Sequence, residues 1–434
     1  MIFDENNIVL SFAAVSDTHI TGDNTDDSEF KFRRAITQIS EKASSHGHDI
    51  DAFLVVGDLI DRSWKEPEMQ MQAFRSIYTS LSKAPLFYCL GASHDLYWGS
   101  NEESKFIENF RKHLGEENFV FDIDKESIAK GNRHAIINGY HFIALEPNHR
   151  NPITYPEETK LWLRDILEST KDDGKFVFII THPMITDTCY GSLLGPDWAT
   201  EDLTPILSEY QNVVVFGGHL HFPLQDERSI MQKDFTSIGC GSVRYMAIED
   251  AAYENMMGKT VMRDSYRVSN GHLCEVDKNG ALRITRIDFA RNDQIKAPWI
   301  ISAPQKDRSH LSLYRPERKD TASIPYFPEN LNIKTACESF EDGAKITLSF
   351  SAANDADMVH HYTVTLKKEN GEEKEYRILA DFYRHARPEN MAKEIILKPS
   401  DIFQTGETVH ATICAYNSWG NKCESPVFSF VVKY

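Results

Sequence analysis

No apolar stretch among these 434 residues approaches the ~20 that a membrane-spanning helix needs, so no membrane span is expected. Nor is there a basic excess: 47 Lys and Arg stand against 65 Asp and Glu, a formal net charge of −18. That balance excludes a general nucleic-acid backbone binder, whose basic surface replaces condensed counterions. It does not exclude a small phosphorylated substrate, because a bound metal supplies local positive charge that the residue count omits. The seven cysteines (Cys89, Cys189, Cys240, Cys274, Cys337, Cys414, Cys423) contain no C-x-x-C pair and are scattered and odd in number. A disulfide framework is thereby excluded, and reduced thiols, several in the core, are expected. The start, Met1 to Glu5, lacks the basic-then-apolar pattern of an export signal. As written, the expectation is a cytoplasmic protein, or an exported one if a leader has been removed. Internal repeats and low-complexity tracts are also missing.

What is present is an alternation of short apolar runs and amphipathic stretches, the pattern of an α/β domain with a buried sheet. Five runs stand out: Ile8–Val15, Ala52–Val56, Leu86–Leu90, Lys175–Ile180 and Val213–Phe216. Each is apolar almost throughout, as a strand covered on both faces should be. Tyr140–Leu145 reads as another strand. The spacing predicts helical faces through Phe32, Ile36, Ile39 and Ala43, through Met69, Phe74, Ile77 and Leu81, and through Phe106, Phe110 and Leu114. A further helix is expected from Pro156, carrying Leu161, Leu163 and Leu167.

After about Phe222 the character changes, and His272–Val276 and Leu282–Phe289 read as a second sheet completing the first domain. Residues 1–301 are expected to form this domain. The stretch 302–328, with Pro304, Pro316, Pro325 and Pro328, reads as a linker. From 329 to 434, alternating strands (Ala344–Phe350, Tyr362–Lys367, Glu394–Leu397, His410–Tyr416, Val427–Val432) predict an immunoglobulin- or fibronectin-like β-sandwich. This domain is read either as a structural module or as a protein- or carbohydrate-binding one. Trp419 is then either an exposed contact or a packed ring.

Every one of the five buried runs ends in residues suited to metal or phosphate. They are Asp17-Thr18-His19, then Gly57-Asp58-Leu59-Ile60-Asp61, then Ser93-His94-Asp95, then Thr181-His182-Pro183, and last Gly217-Gly218-His219-Leu220-His221. In open α/β sheets ligands gather at the carboxyl ends of strands, so the five segments should converge. Carboxylate plus imidazole suits Mn, Fe, Zn or Co rather than Mg or Ca alone.

This ordered set resembles the calcineurin-like metallophosphoesterase family, whose motifs run Asp-x-His, Gly-Asp, Gly-Asn-His-Asp/Glu, His and Gly-His-x-His. The resemblance covers roughly residues 8 to 290. It implies a four-layer α/β/β/α sandwich with two divalent metals. By position, Asp17, His19 and His221 would bind the first metal, Asp58 would bridge, and His182 and His219 would bind the second. His94, paired with Asp95, would sit over the phosphate and protonate or steady the leaving oxygen. The chemistry agrees, since two cations ~3.5–4 Å apart need a shared anion and together acidify a water. The implied activity is hydrolysis of a phosphomonoester or phosphodiester, on a substrate that the family leaves open among cyclic nucleotides, phospholipid head groups, nucleotides and phosphoproteins.

One motif departs from the family. In Gly91-Ala92-Ser93-His94-Asp95, Ala92 stands at the family's Gly position and Ser93 at its Asn ligand position. A hydroxyl is the poorer donor, so weaker binding of the second metal is expected. The alternative is a catalytically impaired chain that keeps the fold as a binding or scaffold module. Around the site, Arg62, Tyr97, His149 and Arg244 are expected substrate contacts, with Trp98 beside Tyr97.

Overall fold

The computed structural model describes residues 3–23, 27–91, 94–95, 112, 132–249, 259–261, 267–340, 343–383, 389–397 and 405–432. The chain divides into two compact units, one ending at Pro316 and one beginning at Glu317.

In the first unit the strands are β1 (Ile8–Val15), β2 (Ala52–Val56), β3 (Leu86–Cys89), β4 (Arg133–Ile137), β5 (Tyr140–Leu145), β6 (Val177–Thr181) and β7 (Val213–Gly217). They continue with β8 (Ile230–Gln232), β9 (Thr236–Gly239), β10 (Asn270–Asp277) and β11 (Leu282–Asp288). One sheet runs β11-β10-β1-β2-β3, with Asp293–Gln294 and Trp299–Ile301 both pairing β11. The other runs β8-β9-β7-β6-β5-β4. Within them β1, β2 and β3 are mutually parallel, as are β5, β6, β7 and β9.

The alternation of side chains explains the stacking. Leu10, Phe12 and Ala14 of β1 point to one fully buried cluster, while Ala13 and Val15 point to another. The first cluster lies between the sheets, where the Phe12 ring sits 5.2 Å from Phe142 and 4.8 Å from Phe178. Full burial of each such ring contributes about 1.5–3 kcal/mol. On the outer face of the first sheet pack α1 (Ser28–Ser45) and α2 (Pro67–Leu81), through Phe32, Ile36, Ile39, Phe74 and Ile77. On the outer face of the second packs α3 (Glu157–Thr170), through Leu163 and Leu167. The result is the four-layer α/β/β/α sandwich.

Several expectations change. The runs His272–Val276 and Leu282–Phe289 do not build a sheet of their own: β10 pairs antiparallel with β1 and with β11, so both extend the first sheet. Leu161 is 56% exposed, because two positions along a helix turn roughly 200° from Leu163. Met69 and Leu81 also lie outward, and the buried stripe of α2 runs through Met71, Phe74, Ile77 and Tyr78. The helical stripe expected through Phe106, Phe110 and Leu114 lies outside the described residues. Part of the expected linker belongs to the first unit's packing: His310 is buried and its ring N–H donates to the Gln211 carbonyl at 2.9 Å.

The second unit is all β. A three-stranded antiparallel sheet (Lys334–Phe340, Gly343–Ser351, Asn390–Leu397) faces a five-stranded one built on Val359–Lys368 and Thr408–Asn417. Phe350 of the first meets Tyr362 of the second at 5.0 Å, edge to face. Trp419 is half-buried, with the Arg318 guanidinium 5.1 Å above its ring. All seven cysteines are free thiols.

Candidate metal centre

The carboxyl ends of β1, β2, β6 and β7 converge. Just beyond them the chain adopts left-handed backbone at Asp17 (φ 56°), His19 (φ 44°), Asp58 (φ 49°), His219 (φ 67°) and His221 (φ 58°). Non-glycine residues take this conformation only where the surroundings impose it, at a cost of about 1–3 kcal/mol each. Here backbone bonds impose it: the N–H groups of Asp17 and His19 donate to the carbonyls of Gly57 and Asp58 at 3.1 and 3.0 Å. Across the seam, the Gly218 N–H donates to the His182 carbonyl at 2.9 Å.

Two overlapping groups result, Asp17-His19-Asp58-His221 and Asp58-His182-His219, with Asp58 common to both. His19 and Asp58 come from the first sheet and His182, His219 and His221 from the second. His221 Nε2 lies 2.8 Å from Asp17 Oδ1, and His182 Nε2 lies 3.2 Å from Asp58 Oδ2.

The tautomers are fixed from behind. Nδ1–H of His182 donates to the Val56 carbonyl at 2.8 Å, and Nδ1–H of His221 to the Tyr245 carbonyl at 3.0 Å. Nε2–H of His219 donates to the Asp197 carbonyl at 3.0 Å. A carbonyl can only accept, so in each neutral ring the other nitrogen presents a lone pair. For His182 and His221 that lone pair faces a carboxylate oxygen, an arrangement that requires a cation or proton between them. Asp17 Oδ1, Asp58 Oδ1, His19 Nδ1 and His182 Nε2 are moreover buried without a hydrogen-bond partner. Donor set, orientation and orphaned atoms all fit divalent metal, with the carbonyls that anchor the histidines as the supporting shell.

The electrostatics agree. Burial pushes the Asp58 carboxyl up, but the facing His182 and His94 overcome it and hold it well below the usual range. Burial depresses His182, yet Asp58 outweighs it and lifts the imidazole to about 10. Burial and the nearby His94 bring His19 down to about 4.

Glycine is obligatory around this centre. A Cβ on Gly91 would meet Asp58 Oδ1 at 1.8 Å, and one on Gly57 (φ 78°) would meet the His182 ring at 2.3 Å.

The third segment behaves differently from the expected dyad. Asp95 does not pair with His94. Its carboxylate accepts N–H bonds from Leu59 (3.1 Å), Ile60 (3.0 Å) and Gly91 (2.8 Å), and so ties the β2 and β3 loops together. Burial and the neighbouring Asp58 push that carboxyl up to about 8 against the pull of the amides. The His94 ring instead donates Nδ1–H to the Asp61 carbonyl and stands edge-on to His19, 4.4 Å away. Ser93 and Tyr97 lie outside the described residues, as does Trp98. His149 is placed in a two-stranded ribbon by its backbone alone.

Arg244 reaches the site through Asp61, whose carboxylate it pairs with, and Arg62 Nε takes the other oxygen at 3.0 Å. Asp61 itself gathers with His19 and His94 as a third group. Sequence motifs carried no hint of the next layer: Glu146 accepts the Leu90 N–H with both oxygens and pairs with buried Arg133 at 2.9 Å. Trp198, whose ring lies 4.7 Å from His219, was equally unmarked, and the Tyr245 ring, next to the expected contact Arg244, lies 4.3 Å from His221.

Residues 10–223 match the family described as calcineurin-like phosphoesterase. No curated protein matches the chain. Among solved structures, a dimetal phosphatase from Danio rerio aligns at 11% identity and TM-score 0.47, covering 69% of this chain and 100% of that one. A purple acid phosphatase from yellow lupin (Lupinus luteus) seeds aligns at 12% identity and TM-score 0.45, covering 69% of this chain and 55% of that one. The FN1–FN3 domains of chicken CNTN1 align at 11% identity and TM-score 0.20, covering 41% of this chain and 48% of that one.

Proposed function

For a chain whose first unit is a calcineurin-like metallophosphoesterase domain, we propose that it hydrolyses small phosphomonoesters or phosphodiesters at a two-metal centre. Asp17, His19 and His221 would hold one divalent ion and His182 and His219 the other, Asp58 would serve both, and Ser93 would take the remaining position of the second set that the family resemblance assigns it. The observation that carries this reading is Asp58, the one carboxylate common to both ligand groups and held with an orphaned buried oxygen.

The chemistry that two bound divalent cations supply is Lewis-acid polarisation of a phosphoryl oxygen and acidification of a water. The chain's own residues do the rest. His94 spends Nδ1–H on the Asp61 carbonyl, which leaves Nε2 to carry a proton to the departing oxygen. Asp95 fixes the loop that presents His94. Arg244 and Arg62, anchored on Asp61, bring positive charge to the rim, where an anionic substrate enters.

The test is hydrolysis of an aryl phosphomonoester and an aryl phosphodiester with chelator, Mn, Zn or Mg, beside Asp58→Asn. Metal-dependent turnover absent from the variant is expected, together with loss of bound metal by elemental analysis. No turnover with any metal overturns the reading in favour of a scaffold that has kept the fold.

A further inference from the structure

Aromatic rings lead outward from the centre in steps. His19 is fully buried, His94 stands 4.4 Å from it, and Trp64 stands 6.1 Å beyond His94. Trp64 is 53% exposed, whereas Trp198 and Tyr245 are half-buried and lie against the metal-facing histidines. Among the described residues around the centre, Trp64 is thus a ring at the rim that keeps much of its surface in water.

An exposed tryptophan on a loose loop would mean little, but this loop is fixed. Gln70, itself buried, accepts the N–H groups of Asp61 and Arg62 at 3.0 and 2.9 Å. Its amide donates back to the carbonyls of Arg62 and Lys65 at 2.9 and 2.5 Å. The Ser63 N–H donates to the His94 carbonyl at 2.9 Å, so loop and His94 are held in one register. Asp61 and Ser63 point inward while Arg62, Trp64 and Lys65 point out. A tryptophan between two cations, preorganised beside the group that faces the leaving oxygen, is a stacking platform for an electron-rich ring.

We propose that Trp64 is a specificity residue, and that the organic group of the preferred ester carries a planar aromatic or heteroaromatic ring that lies on it. The inference rests on the phosphoesterase reading and deepens it. Gln70 is the positioning residue, since it touches no substrate and holds the loop that does.

The test uses the metal-loaded full chain and two non-hydrolysable probes of nearly equal size and charge, benzylphosphonate and cyclohexylmethylphosphonate, with inorganic phosphate as reference. Calorimetry should show the planar probe binding about tenfold tighter. Trp64→Ala should bring the two probes level and leave phosphate affinity unchanged, while Trp64→Phe should keep most of the preference. Equal binding of both probes by the parent chain, with phosphate still bound, overturns the ring inference alone. Failure of all three to bind overturns it together with the phosphoesterase reading.

Discussion

Gly91 and Asp58 approach so closely that the smallest side chain at position 91 would land 1.8 Å from Asp58 Oδ1. Gly91→Ala should therefore push the shared carboxylate out of place while the sheets persist. A fall of about 100-fold in metal-dependent turnover is expected, with metal content reduced by elemental analysis and the circular dichroism spectrum unchanged.

Asp95 and His94 separate by what their replacement damages. Asp95→Asn turns an amide NH2 toward amides that need an acceptor, so urea unfolding should show a loss of about 1–3 kcal/mol. His94→Ala should unfold like the parent but slow alkyl esters far more than activated aryl esters. Equal slowing of both would remove His94 from the proton-transfer role.

Gln70→Ala leaves four backbone groups of the Asp61–Lys65 loop without their side-chain partner. Amide exchange should accelerate across residues 61–66 and remain slow in α1. If the loop stays protected, the clamp is not what holds it.

Away from the centre, Glu275 is fully buried between His48, His46 and Arg283. Burial pushes its carboxyl up, but these partners win and hold it at about 2 against an ordinary 4.5. A depressed carboxyl stabilises the fold above its unfolded pKa and loses that contribution as pH falls. Glu275→Gln should thus cost about 3 kcal/mol at pH 7 by urea unfolding. The gap to the parent should shrink between pH 4.5 and about 2.

How much of this was legible depended on how local the determinant is. The five strand-end segments could be read because parallel strands buried on both faces are uninterrupted apolar runs, and chemistry sits where the run stops. Pairing was not legible: β10 meets β1 across some 260 residues, and nothing in His272–Val276 names its partner. Helix faces went wrong where neighbouring apolar residues offered two stripes, as with Met69 against Met71. The roles of Asp95, Gln70 and Glu146 were hidden for a common reason. Each serves backbone amides on another segment, and a backbone amide leaves no mark in a sequence.

The division of the site between sheets has a further consequence. Asp17, His19 and Asp58 hang from one sheet and His182, His219 and His221 from the other, so a metal bound among them acts as a reversible cross-link. Its binding energy is added to the cohesion of the two halves by mass action, and chelation withdraws it.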